Sequence, residues 1–424
     1  MSRKFVPSGR LMALGAWSLL IFATVPIAEY IQKGVEESLG RNAFIAMAIV
    51  VTMLVTALVV LRGRTTAQLS AGRAAILLAL AGVFVMATVR LSSLPEEATH
   101  FVEYGILAGL AYWALAPRTR NRLVYPTALM VCACVGQIDE ALQWVMPGRY
   151  WELRDVGLNL TASVLVLTAI ALGLSPAGTQ GDIDARSVRR LLRASMAAAL
   201  LLAMSMLNTP NRIAWYTSRL PALAFLANAD SAMFEYGYYY DDKDTGSFKS
   251  RLSPAALAAA DRTRGADVGM ILDRYDQPEE YADVLRIYSP VTDPFVHEIR
   301  VHLFRRDRYY ERALGYPAES HDRLRCATIA YSEHKILEKY FGNTLSHSKF
   351  VLDPARLYTI EAQLLSGVAA DRAIAASESA VSRNLMTGMS EGRIMMIFAV
   401  FLLTLLFVDR RLSARLEPRT EASR

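Results

Sequence analysis

The stretch DEALQWVMPGRYWELRDVGLN, Asp139 to Asn159, joins two apolar runs through a Pro-Gly-Arg turn and is rich in groups that bind or exchange protons. Asp139, Glu140 and Gln143 precede the turn, and Arg149, Arg154, Asp155 and Asn159 lie on or beyond it. Glu140 and Gln143 are three residues apart and Asp155 and Asn159 four, so each pair shares a helix face. Upstream, PEEATHFVEYGIL sets Glu97, His100, Glu103 and Tyr104 at similar spacings. Carboxylates, an imidazole and amides converging inside a bilayer would hold a polar headgroup or perform acid–base chemistry. The structural alternative is that they cap helix ends and pair among themselves, Arg149 with Asp155 for example. A metal site would require more His or Cys ligands than the cluster offers.

The elements that must position these groups are eight apolar runs: Leu11 to Tyr30, Ala43 to Leu61, Ala74 to Val89, Phe101 to Leu115, Tyr125 to Trp144, Val156 to Leu174, Leu191 to Leu207 and Ile394 to Val408. Most approach the ~20 residues that cross ~30 Å of hydrocarbon. The first follows a basic tail but is too long for a signal peptide and lacks a small-x-small cleavage site, so it reads as a retained helix. Basic residues collect in alternate connections: Arg3, Lys4 and Arg10, then Arg62, Arg64 and Arg73, then Arg118, Arg120 and Arg122, then Arg186, Arg189, Arg190 and Arg193, then the C-terminal tail. That alternation predicts eight spans with both termini in the cytoplasm. It also explains the net charge of +6 without nucleic acid. Apolar residues make up 53%, with a mean hydropathy of +0.24, as suits a membrane protein carrying a sizeable soluble part. Cys132 and Cys134 lie in an apolar run and Cys326 stands apart, so no disulfide framework is supported.

The expected divisions are 1–42 (tail and first helix), 43–175 (membrane bundle), 186–207 (seventh helix), 208–390 (extracytoplasmic α+β domain) and 391–424 (last helix and basic tail). Residues 208–390 hold 22 Lys+Arg and 24 Asp+Glu, the composition of a folded, nearly neutral domain. Ser253-Pro254 predicts a helix start closed at Gly265, and Asp276 with Glu279 a capping box for a helix through Tyr288. Val296 to Phe304 alternates, with Ile299, Val301 and Leu303 on one face, which predicts a strand. Its other face would present Glu298, Arg300 and His302 as a second candidate site, although a solvated face is the commoner outcome. Arg305, Arg306 and Arg308 could meet anionic lipid, and a solvated run is again the simpler reading. Ser332 to Phe341 and residues 358–386 read as helices, the latter leading into the last span. YYYDDKDTGSF spaces Asp242, Asp244 and Gly246 like a calcium loop but lacks the acidic twelfth position. No nucleotide, zinc or nucleophile-elbow motif occurs in a fitting context, and no cofactor is expected.

Residues 95 to 165 resemble the VanZ-like membrane family, through HFVEY followed by LAGLAYWAL, then IDEALQWVMPGR, then RDVGLNLTAS. The resemblance carries the family's motif positions onto His100, Tyr104, Glu140, Gln143, Arg149, Asp155 and Asn159. Thr161, Ala162 and Ser163 stand where the family commonly shows Gly. The resemblance covers about 43–174 and implies an envelope protein linked, in the family's founding case, to teicoplanin resistance, without an agreed mechanism. The resulting expectation is a bacterial inner-membrane protein that binds a lipid-linked wall precursor, glycolipid or lipoglycopeptide. Two rivals stand beside it. One is a hydrolase or transferase on a lipid-linked substrate, with His100 or Glu140 as base; the other is a partner-binding external domain that the bundle only anchors.

Overall fold

A computed structural model describes residues 9–66, 69–91, 95–146, 149–228, 232–365 and 375–416. The chain divides into two compact units, Met1–Ser205 with Met396–Arg424, and Met206–Met395. The first unit is helical: α1 (Gly9–Thr24), α2 (Ala28–Leu39), α3 (Ala43–Thr65), α4 (Ala71–Val89), α5 (Ala98–Leu115), α6 (Val124–Val145), α7 (Leu153–Thr168), α8 (Ala185–Met206), and a closing helix given below. A π-helical turn, Ala169–Leu174, prolongs α7 and ends at Ser175 in the left-handed conformation.

Among the described residues, six helices are long and apolar enough to cross a membrane, or up to seven if the bent pair Ala185–Met206 and Pro210–Thr217 is one broken span. The chain is a multi-pass membrane protein with fewer such helices than the eight runs suggest. Their large apolar side chains face outward, as Leu54 and Leu58 do on α3. Stripes of that kind belong against lipid.

α5 is not among the six because its composition is less apolar, and it is closely packed within the unit. His100, Glu103 and Tyr104 dilute its apolar character, and it is enclosed by α1, α3, α6 and α7 rather than by lipid. Ala108, Ala111 and Ala114 are fully buried, so neighbouring backbones approach closely, the way membrane helices pack without a hydrophobic driving force. Trp17 Nε1 donates to the Glu103 carbonyl at 3.0 Å and ties α1 to α5, and Phe84 of α4 meets Phe101 edge-on at 5.2 Å.

The second unit is also mainly helical: α9 (Pro210–Thr217), α10 (Pro254–Arg274), α11 (Tyr281–Ile287), α12 (Pro294–Gly315), α13 (His321–Tyr340), α14 (Gly342–Ser346) and α15 (Pro354–Tyr358), which a π turn Thr359–Leu364 prolongs. Its sheet has two short antiparallel strands, β1 (Tyr238–Tyr240) and β2 (Phe248–Ser250), with Tyr239 opposite Lys249. This corrects the α+β expectation: among the described residues the domain is a helical unit with one hairpin.

The predicted strand is the N-terminal half of α12, which Asp293 caps by accepting from Val296 N and Pro294 begins. The alternation that suggested a strand coincides with a helical stripe, Phe295, Ile299 and Leu303 (with His302), packed against Leu272, Ile336 and Phe341. α10 starts at Pro254 behind a Ser253 cap, as expected, but runs through Gly265 to Arg274. Gly265 is a packing residue: a Cβ there would lie 2.1 Å from Asn343 Nδ2 on α14. The capping box sits one residue later than expected, at Gln277 and Glu280. Residues 375–390 hold turns and isolated bridges such as Tyr236 with Met386, not a helix entering the last span; residues 366–374 of that expectation lie outside the described residues. The last helix, α16, is Glu391–Leu416. Within the first unit, Asp409 on α16 accepts from Arg189 (2.9 Å) and Arg193 (3.4 Å) of α8.

Candidate functional site

Three helices of the first unit bring the polar side chains together by simple geometry: α5 starts, α6 ends and α7 starts with them. Tyr104 donates its hydroxyl to Asp139 Oδ2 at 3.0 Å. The Gln143 amide reaches toward both acids of its own helix, Asp139 at 3.5 Å and Glu140 at 3.4 Å, while its oxygen accepts from Arg149 at 3.2 Å. Asn159 of α7 lies against the same place. A Cβ at Gly136 would stand 3.3 Å from the Tyr104 ring and 3.6 Å from Asn159 Cβ, so the missing side chain at Gly136 lets the three helices close. Ser163, one turn beyond Asn159, donates to the Asn159 carbonyl at 2.9 Å and approaches the Tyr104 carbonyl at 3.5 Å.

At the margin, Arg154 makes a two-point ion pair with Glu97 and is 46% exposed, with Asp155 3.8 Å away. His100 Nδ1 lies 3.7 Å from Glu103 Oε2, and the His100 and Tyr104 rings are 6.4 Å apart. The expected pairing of Arg149 with Asp155 gives way to Arg149 on Gln143. Asp139, Glu103 and Gly136 complete the group. The first two were visible as acidic residues inside apolar runs, whereas nothing in the sequence distinguishes Gly136 from other helical glycines.

The cluster is incompletely satisfied. Glu140 is 0% exposed and Asn159 3% exposed, yet Glu140 Oε2 and both amide atoms of Asn159 have no hydrogen-bond partner. His100 Nδ1 and Asp155 Oδ1 are likewise buried without one. Buried polar atoms are normally paired, and an unmade hydrogen bond costs about 1–3 kcal/mol. Several such atoms lie together in this cluster. Among the described residues no group of three or more His, Cys, Asp or Glu side chains is arranged to hold a metal ion.

The second sequence candidate does not assemble. On α12, Glu298, Arg300 and His302 point into separate buried surroundings rather than along a strand face. Glu298 accepts from Ser250 Oγ (2.6 Å), Arg251 N (2.8 Å) and the Arg251 guanidinium (3.3 Å). Arg300 lies between the Tyr281 and Phe350 rings, 5.2 and 5.4 Å away, and burial lowers its pKa. His302 Nδ1 lies 2.6 Å from Glu333 on α13, which also accepts from Arg305 (2.7 Å) and Ser379 (2.8 Å). Burial alone would raise the Glu333 pKa; His302 and Arg305 outweigh it and hold the carboxyl below its ordinary value. The arginines of the run have partners within the unit: Arg305 is taken by Glu333, Arg306 by Asp307 and the Phe350 carbonyl, and Arg308 stacks on Phe304. Asp242 of the calcium-like loop accepts from Tyr340 and pairs with Lys339.

Comparison with known proteins leaves the geometry to speak for itself: no family model matches this sequence, and neither curated proteins nor solved structures give a match.

Proposed function

We propose that this protein is a VanZ-like membrane protein of the bacterial inner membrane that binds an envelope amphiphile, with the headgroup held by the α5–α6–α7 cluster. The observation that carries this reading is the pair of buried, unpartnered groups, Glu140 Oε2 and the Asn159 amide, beside the Tyr104–Asp139 hydrogen bond. A polar ligand would satisfy them, and an intramembrane position restricts that ligand to something lipid-soluble. The positions that resemble the family's motifs, His100, Tyr104, Glu140, Gln143, Arg149, Asp155 and Asn159, all belong to this neighbourhood.

A second feature supports an amphiphile over a purely polar solute. An apolar cavity of about 320 Å³ lies among α3, α4, α5 and α7, lined by Val55, Leu80, Phe84, Phe101, Gly105 and Val166 among others. That volume is within the ~300–1,000 Å³ range of small-ligand pockets. α5 contributes to both places, with Phe101 and Gly105 toward the cavity and Tyr104 toward the polar cluster. An acyl or prenyl tail suits the first and a headgroup the second. In this reading eight spans leave both termini in the cytoplasm and residues 208–390 outside it, as the alternation of basic loops requires.

The test is lipid and wall-precursor analysis of material co-purified with wild type, Glu140→Ala and Asn159→Ala. The expected result is one amphiphile class enriched with wild type and lost from both variants. No enrichment in any sample would remove the proposal.

A further inference from the structure

Charge and donor counting at the same cluster, on the reading just given, narrows the class of headgroup. The carboxyls are Glu97, Glu103, Asp139, Glu140, Glu152 and Asp155; the permanent cations are Arg149 and Arg154. Glu97 engages Arg154 at two points, and that pair sits at the exposed margin. Five carboxyls then remain beside the single guanidinium of Arg149, which is itself directed at the uncharged Gln143 oxygen. An anionic headgroup would find one guanidinium there and a surplus of oxygens that accept hydrogen bonds as it does.

The unpartnered atoms point the same way. Glu140 Oε2 and Asn159 Oδ1 are acceptors without a hydrogen bond and Asp155 Oδ1 has only the Arg154 guanidinium, 3.8 Å away; beside them stand the amide donor Asn159 Nδ2 and the His100 ring nitrogen Nδ1, whose role depends on the tautomer. Glu140 is fully buried and Asn159 nearly so, and Asn159 packs against the Gly136–Tyr104 contact at the centre of the group. What the site lacks is positive charge and N–H donors. We infer that the α5–α6–α7 cluster recognises a primary ammonium headgroup, an amine-bearing amphiphile rather than a phosphate- or sulfate-terminated one.

A primary ammonium carries three donors on a compact charge. A quaternary ammonium has the charge without donors and is normally held in a cage of several aromatic faces. Here Tyr104 has its hydroxyl committed to Asp139, and a quaternary ammonium would leave Glu140 Oε2 and Asn159 Oδ1 without a donor. The geometry therefore discriminates between amines of equal charge.

The experiment uses the full chain in phosphatidylcholine nanodiscs titrated with dodecylammonium, dodecyltrimethylammonium and dodecyl phosphate, read by native mass spectrometry. Wild type is compared with Glu140→Gln and Asn159→Leu, each shown to be folded by circular dichroism. Dodecylammonium is expected to bind saturably and about 10- to 100-fold more tightly than either other probe, the ratio of a charge-assisted hydrogen bond made or missing. Both variants should lose that preference. If dodecyl phosphate or dodecyltrimethylammonium binds as tightly, and in a Glu140-dependent way, the ammonium inference falls while the headgroup reading stands. If no probe binds in a way that depends on Glu140 or Asn159, both fall together.

Discussion

Each unit of this protein buries carboxylates on helices, and the two treat them in opposite ways. In the second unit Glu298 and Glu333 are enclosed by partners: Ser250 and Arg251 for one, His302, Arg305 and Ser379 for the other. In the first, Glu140 is reached by the Gln143 amide at 3.4 Å and by the Glu152 backbone N–H, while its Oε2 has no partner. On the proposed function, the contrast is between polar groups that fix a fold and polar groups that hold a ligand. Burial by itself does not make that distinction, since Glu140, Glu298 and Glu333 are all essentially inaccessible. Satisfaction does.

The largest effect should come from breaking the satisfied network. Glu333→Ala would leave His302 and Arg305 buried beside a lost counter-charge, and removing one partner of a buried pair costs about 3–5 kcal/mol. Hydrogen exchange of α12 and α13 in the full chain should therefore lose roughly two to three orders of magnitude of protection. Unchanged exchange would mean that the ionic network is not what holds α12 to α13, and the comparison would lose its first half.

Acid should separate the units next. Burial, followed by the Arg306 charge, lowers the His334 pKa to about 4, and burial, followed by Arg251, does the same at His297. Both imidazoles are thus neutral in the fold at neutral pH. The sign follows from linkage: the unfolded chain takes up protons near 6.5 and the fold resists until about 4, so stability is complete above 6.5 and is lost as pH falls through that window. Each histidine contributes at most about 3 kcal/mol. Glu333, held low by His302 and Arg305 against its burial, adds a loss in the same direction at more acid pH. A pH series of exchange rates in α13 should show protection falling from pH 6.5 to 4, and His334→Phe should flatten part of that slope. A slope identical in wild type and variant would place the acid sensitivity elsewhere.

How much of this was legible in the sequence depends on which physical signal was available. Asp139, Glu140 and Asp155 were conspicuous because ionisable groups in apolar runs are costly, and that cost is readable without coordinates. The membrane-length helices followed from length and hydropathy. The nature of residues 294–315 did not, because Ile299, Val301 and Leu303 fit period two over a short window, and only the longer stripe from Phe295 to Tyr310 reveals the helix. The partners of Glu298 and His302 were hidden for a different reason: Arg251 is 47 residues from Glu298 and Glu333 is 31 from His302, and no local rule connects them. Gly265 was read as a helix end because glycine is a common stop, whereas here it answers a close approach between helices. Its neighbour Gly269 makes the same point testable. A Cβ there would stand 2.5 Å from the His347 carbonyl oxygen, so Gly269→Ala should destabilise the second unit by about 1–3 kcal/mol despite alanine's better helix propensity, measured by exchange in α10 and α14.

The smallest stability change is expected at the unsatisfied site, and its sign is the informative part. Asn159→Leu replaces a buried amide that has no partner with an apolar side chain of similar size. Removing an unmade hydrogen bond removes its desolvation penalty, so the substitution should be neutral or stabilising by roughly 1 kcal/mol, seen as an unchanged or raised melting temperature in detergent. Ligand binding should be lost at the same time, since the acceptor and donor of Asn159 disappear. A residue whose removal stabilises the fold while abolishing binding is placed for function at the expense of stability. If Asn159→Leu instead destabilises the first unit as strongly as Glu333→Ala does the second, the amide is part of the scaffold, and the two units differ only in composition.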